Sequence, residues 1–188
     1  MGRPSGNVVG FDDAPFSPSH RGDVRLIGAV FCRTRLDGVL CSKVRRDGAN
    51  ATQRLIEMVR NSQFDQHIRA VLLQGIAVAG FNVIDVHTLC SSLDRPVLVV
   101  ARRRPDLVTI HDTLLTRVKG GERKWKLIER AGKPEPLRDV FIQRVGMSLQ
   151  QAEKLLEITT LHGKIPEPLR VAHLIAGGVT VGVSRGRA

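Results

Sequence analysis

At 188 residues the chain is long enough for one well-cored domain and too short for two. Hydrophobic residues at 42% and charged residues at 25% exclude a disordered chain, and no apolar run approaches the roughly 18 to 20 residues that span a bilayer. The 29 Lys and Arg against 18 Asp and Glu leave a formal charge of +11, which favours a polyanionic partner such as DNA or RNA.

Met1 to Gly6 is polar and is expected to fray. Asn7 to Asp12 then has the length and apolar character of a short buried strand, ending in carboxylates. Asp13 to Gly22 is a Pro- and Ser-rich loop, and Val24 to Arg33 reads as a second strand. A turn around Leu36-Asp37-Gly38 would lead to a third strand, Val39 to Arg45, closing an antiparallel hairpin. Asp47-Gly48-Ala49-Asn50 follows as a turn, with Asn50 as the N-cap of a helix running to Asn61. His67 to Leu73 is apolar enough for a buried parallel strand, closed by Gln74-Gly75.

A helix from about Phe81 to Ser91 precedes the β-branched run Pro96 to Ala101, a fifth strand. Arg102-Arg103-Arg104 sits at its end, and Pro105-Asp106 breaks the chain before a helix over Leu107 to Lys119. Trp125 to Ala131 predicts a further helix, Val140 to Arg144 a short strand and Ser148 to Thr160 a capped helix. A last helix begins near Pro166 to Pro168, and no internal repeat is visible. Three strands that can meander, followed by strands alternating with helices, argue for a mixed sheet covered by helices, with the first and fourth strands side by side. Ligands in such sheets bind outside the carboxyl ends of the central strands.

The cysteines Cys32, Cys41 and Cys90 are odd in number and widely spaced, fitting neither a disulfide framework nor a zinc knuckle. Met1 to Asp13 lacks the apolar stretch of a secretory signal. The expectation is a reduced, cytoplasmic protein with a single domain over residues 1–188 and no membrane association. The oligomeric state is left open.

Several constellations could carry chemistry. Asp12 and Asp13 at a strand end can hold a divalent cation, although an Asx-type turn ahead of Pro15 gives the same pattern. Asp47-Gly48 can be a turn or a third metal ligand. Gln74 stands where a nuclease of this topology would want a carboxylate, yet its amide is a neutral, weak ligand. Arg170 and His173 are three apart on one helix face and could address a phosphate and a metal-bound water. Gly75, Gly80 and Asn82 could let a substrate backbone approach closely, and Arg102, Arg103 and Arg104 read either as a solvated basic edge or as phosphate contacts. No GxGxxG or P-loop pattern is present, so no nucleotide cofactor is expected.

Five segments together carry a family resemblance: Gly10-Phe-Asp-Asp-Ala-Pro-Phe16, Asp47-Gly-Ala-Asn-Ala-Thr52, Gln74 to Asp85, Pro96-Val-Leu-Val-Val and Ile165-Pro-Glu-Pro-Leu-Arg-Val-Ala-His173. Over nearly its whole length the chain resembles a mainly archaeal domain-of-unknown-function family, number ninety-nine, itself similar to endonuclease V. That enzyme cuts nucleic acid near deaminated bases with Mg²⁺ held by an Asp on the first strand, a Glu opening the first helix and an Asp ending the fourth strand. The resemblance carries the first to Asp12, the second to the neighbourhood of Asn50 and the third to Gln74, so only the first is acidic. It also implies that Arg170 and His173 lie nearest the metal.

The fold expected is α/β, ribonuclease H-like and endonuclease V-like: a mixed sheet with its first three strands antiparallel and helices on both faces. The function expected is a nucleic-acid-binding protein of that fold with a degraded or rearranged metal site. The alternative is a Mg²⁺-dependent endonuclease acting on deaminated or structured DNA or RNA in repair. The candidate catalytic residues are Asp12, Asp13, Arg170 and His173, the candidate metal ligands Asp12, Asp13 and Asp47, and the candidate nucleic-acid contacts Gln74, Gly75, Gly80, Asn82 and Arg102 to Arg104.

Overall fold

The structure, a computed structural model, describes residues 6–184; Met1 to Ser5 and residues 185–188 lie outside the described residues. Strands Asn7–Asp13 (β1), Asp23–Cys32 (β2) and Arg35–Arg45 (β3) lead to helix Ala51–Arg60 (α1) and strand Ile68–Gln74 (β4). Short strands Ala77–Val78 (β5) and Asn82–Val83 (β6), helix Val86–Leu93 (α2) and strand Val97–Ala101 (β7) follow. Helices Leu107–Arg117 (α3) and Gly121–Arg130 (α4), strands Glu135–Leu137 (β8) and Val140–Val145 (β9), and helices Leu149–Thr159 (α5) and Glu167–Val181 (α6) complete the chain.

The main sheet has seven strands in the order β3-β2-β1-β4-β7-β9-β8. The first three strands are antiparallel, and β1, β4 and β7 are mutually parallel. The parallel strands are buried along almost every residue because both of their faces are covered. Alternation along β1 sorts the layers: Val9 and Phe11 join Leu55, Val59 and Leu89 of α1 and α2, whereas Val8 joins Leu156 and Leu169 of α5 and α6.

Helix α6 crosses β1 at Gly10. A Cβ on Gly10 would stand 2.5 Å from the Pro168 carbonyl carbon and 2.7 Å from the Leu169 nitrogen, so only a residue without a side chain permits the crossing. Pro168 itself sits in the first turn of α6, where its missing N–H leaves no orphan donor.

Two expected elements differ, and one strand was not expected. The β2–β3 turn falls at Arg33-Thr34, not at Leu36-Asp37-Gly38, and β3 is the longer for it. Asp37 is the extra residue of a bulge between Leu36 and Gly38, held by Arg35 Nε at 2.6 Å and Asn7 Nδ2 at 3.0 Å, and the Phe64 ring lies against Gly38, where a Cβ would meet it at 2.3 Å. The helix expected from Phe81 is the β5–β6 hairpin, and α2 begins only at Val86, capped by the Asp85 side chain on the Thr88 amide. Strand β8 was not visible in sequence because Pro136 lies in so short an edge segment. Ser148 caps α5 with Gln151 completing a capping box, as the Ser-x-x-Gln spacing predicts. No helix among the described residues is long and apolar enough to cross a membrane.

The Gly10 crossing is testable. Gly10→Val is expected to destabilise the protein by about 1–3 kcal/mol or more in urea denaturation, since backbone atoms of α6 must move; parental stability would refute the crossing geometry.

Candidate active site

Asp12 and His173, expected to face one cleft, are in direct contact: His173 Nδ1 donates to Asp12 Oδ2 at 2.8 Å. The α6 crossing places the helix one turn from Gly10, and that turn delivers His173 to the tip of β1. Asp12 is only 6% exposed, and its Oδ1 accepts the Asp13 amide at 3.0 Å. A carboxylate on Nδ1 fixes the imidazole's tautomer and orientation. The parallel register, Gly10 with Leu72 and Phe11 with Leu73, continues to Asp12 beside Gln74 on the same face. There the Gln74 Oε1 is buried with no hydrogen-bond partner.

Asp13, the next residue, turns to the opposite face. Its Oδ2 accepts the Ala79 amide at 3.0 Å. Burial, and then the charge of Asp12, push its carboxyl up to about 6, against the smaller pull of the amides of Ala79 and Asp13 and of the His173 charge. Ala79 and Gly80 both have positive φ, at 48° and 82°. Their turn is fastened from a second side by Asp47, itself at φ 51°: its amide donates to the Ala79 carbonyl at 2.9 Å and its Oδ1 accepts the Phe81 amide at 2.8 Å. A Cβ on Gly80 would stand 2.4 Å from that Oδ1, so Gly80 is required by Asp47.

Lys124 completes the cluster and was not singled out in the sequence. It is 5% exposed, its Nζ donates to the Asp47 carbonyl at 2.6 Å, and burial holds its ammonium below the usual lysine range, partly offset by the Asp47 charge. Its one sequence signal is its spacing, since Gly121, Lys124 and Ile128 share the buried face of α4.

The expected metal set of Asp12, Asp13 and Asp47 does not converge. Asp12 and Asp13 point to opposite faces, and Asp47 is committed to the Phe81 amide and to Arg46 Nε at 3.2 Å. Among the described residues, no three His, Cys, Asp or Glu side chains gather as a metal cluster. Asp85 caps α2 and pairs with Arg130, and Asn50 accepts the Arg45 amide and the Asn82 Nδ2, so neither replaces the missing carboxylates. Asn82 is corrected from a nucleic-acid contact to a structural tie: it is wholly buried, its Oδ1 accepts the Ala51 amide at α1's start, and its Nδ2 donates to Arg45 and Asn50. Asn50 correspondingly makes no side-chain cap of α1.

Arg170 lies one turn before His173, clamped by Nε and Nη2 on the buried Glu167. Arg102, Arg103 and Arg104 are exposed, and none has an ion-pair partner among the described residues. Pro105, just after them, shares with Gly75, Gly80, Phe81, Ile110 and Gln143 the wall of a cavity of about 250 Å³. Gly75 and Gly80 therefore line one pocket at the carboxyl end of the sheet.

The Asp13 proton has a thermodynamic signature. Because the folded carboxyl sits near 6 against an ordinary 3.8, the native state binds that proton more tightly, and stability should fall as pH rises between these values. Asp13→Asn, which keeps an acceptor for Ala79, is expected to flatten that fall and to be more stable than the parent above pH 6 in urea denaturation. An unchanged slope would show that Asp13 titrates normally.

The comparisons with known proteins agree with this architecture. A family model described as endonuclease dU matches residues 4–180. A UPF0215 protein of Deinococcus radiodurans is 52% identical over 181 residues, covering 96% of this chain and 92% of the relative. A UPF0215 protein of Methanothermobacter thermautotrophicus is 43% identical over 185 residues, covering 96% and 91%. Among solved structures, a protein of unknown function from Archaeoglobus fulgidus superposes with a TM-score of 0.86 at 33% identity, covering 92% of this chain and 97% of that one. Endonuclease V of Ciona intestinalis, in complex with an inosine-containing 24mer DNA, superposes with a TM-score of 0.57 at 15% identity over 89% and 82%, a likeness of fold.

Proposed function

This chain belongs to the endonuclease dU family, and on that premise we propose that it is an endonuclease that cuts a nucleic-acid strand beside a deaminated base, deoxyuridine being the base the family's name points to. The observation that carries the reading is the contact between Asp12 and His173 at the tip of β1, beside an orphaned acceptor on Gln74, at the end of the sheet where Gly75 and Gly80 line a pocket.

A Mg²⁺ ion fits part of this arrangement. Asp12 and the unsatisfied Oε1 of Gln74 offer one hard anionic and one neutral oxygen on the same face, which suits a single cation that keeps water and substrate phosphate for its remaining positions. When bound there, the ion would neutralise phosphate charge and acidify water. Asp12 holds the His173 ring so that it can take the proton of an attacking water. The arginines at 102 to 104 bring the phosphate backbone to the sheet's carboxyl end. The 250 Å³ pocket gives a base taken out of the stack an apolar wall in Phe81 and Ile110 and close backbone approach at Gly75 and Gly80.

One observation favours a second reading, binding without cleavage: Asn50 and Gln74 are neutral, and Asn50 is spent on structure. The two readings part in a cleavage assay on single- and double-stranded DNA with one deoxyuridine or one inosine, with and without Mg²⁺. The expected result is nicking near the deaminated base, abolished in Asp12→Ala and slowed about 10²- to 10⁴-fold in His173→Gln. Tight, salt-sensitive binding with no nick in any substrate would establish the second reading; nicking untouched by Asp12→Ala would overturn the site.

A further inference from the structure

The cleft is not the only built cavity. A space of about 420 Å³ opens at the amino-terminal ends of β1, β4 and β7, a strand's length from Asp12 and at the opposite pole of the sheet. Its wall is apolar, made by Val8, Ala70, Pro96, Met147, Leu155 and Ile158. Three cations line it, Arg33 from the β2–β3 turn, Arg69 from β4 and Lys154 from α5, and no acidic residue does. An adjoining depression shares Gly6, Arg33 and Arg69, adds Asn7, Thr34, Arg35 and His67, and again contains no acid.

The contrast with Arg35 is instructive. That arginine is neutralised by Asp37 at 2.6 Å, whereas Arg33, Arg69 and Lys154 have no ion-pair partner among the described residues. One of the three is also placed at a cost. Arg33 occupies a two-residue hairpin turn at φ 56°, where Gly or Asn would be unstrained. The Arg69 stem lies so close on Gly6 that a Cβ there would stand 2.1 Å from its Cγ.

We propose that this pole is a second binding site, for a mononucleotide unit whose phosphate lies between Arg33 and Arg69 and whose base rests on the apolar wall. The guanidinium fork matches phosphate oxygens, a cavity of about 420 Å³ lies within the range of small-ligand pockets, and the flat face of a base needs apolar contact. Gln151, also on the wall, has its Oε1 bound to the Ser148 amide, which leaves Nε2 for a base edge. The unit can come from a free nucleotide or from the phosphorylated end of a strand. The site stands independently of the cleavage chemistry at the other pole.

The test is calorimetric titration of the full chain, without Mg²⁺, using dTMP, thymidine, dodecyl phosphate and a 5′-phosphorylated oligonucleotide. Saturable dTMP binding is expected, weakened at least about tenfold in Arg33→Ala/Arg69→Ala and in Lys154→Glu, and unchanged in Arg35→Ala. Thermal melts certify that the variants fold. An oligonucleotide that binds more tightly than dTMP and loses the same increment in the variants assigns a strand end; equal affinities assign the free nucleotide. The proposal is overturned by no dTMP binding, by thymidine or dodecyl phosphate binding as well as dTMP, or by dTMP affinity that survives the double variant and falls on substituting Arg102 to Arg104.

Discussion

The close passage of α6 over β1 at Gly10 is the constraint on which the candidate site depends. It is set by a single missing side chain, and it brings a helix from the far end of the chain to within one turn of the first strand's carboxylate. Leu169, Ala172 and Ala176 are fully buried along the same helix, so hydrophobic burial drives the docking while Gly10 fixes how near it comes. The Asp12–His173 contact is thus a product of core packing. Neither residue needs to supply the energy that holds it in place.

The opposite side of the strand tip follows a different logic. Asp13, Asp47 and Lys124 each spend a polar group on the backbone of one turn or on each other's, and together they hold Ala79 and Gly80 at positive φ. Burying these groups is tolerable because each finds a partner, and the remaining penalty shows as a raised Asp13 carboxyl and a lowered Lys124 ammonium. The turn carries Gly75, Gly80 and Phe81 to the pocket wall, so the tethers position that wall from three separate elements. Strain of this kind, fixed by surrounding contacts, is common where a substrate must be met closely.

Much of this was legible in the sequence, and the reasons are local. The parallel strands announced themselves as largely apolar runs, and Ser148 announced a capped helix start. The adjacency of β1 and β4, and with it that of Asp12 and Gln74, followed from connection rules. Less legible were features decided by distant neighbours. Asp37-Gly38 has the composition of a turn, but Asn7, Arg35 and Phe64 claim both residues for a strand. Asn82 looked available for a ligand until Ala51, Arg45 and Asn50 took its whole amide. Lys124 is one of several cations in α4, and nothing beside it in sequence marks the buried contact it makes with Asp47. The divergence of Asp12 and Asp13 was implicit in strand alternation, yet the two adjacent carboxylates invited reading as a pair.

That divergence has a consequence for how faithfully the chain assembles. Because side chains alternate with period two, sliding β1 by one residue would exchange its faces, driving the ring of Phe11 into the space where α6 tolerates only hydrogen. It would also strand one acid among the aliphatic residues of the other layer. The misaligned arrangement is penalised at both ends of the strand before any substrate arrives, so an incorrectly threaded molecule has little chance of persisting as a compact, inactive impostor.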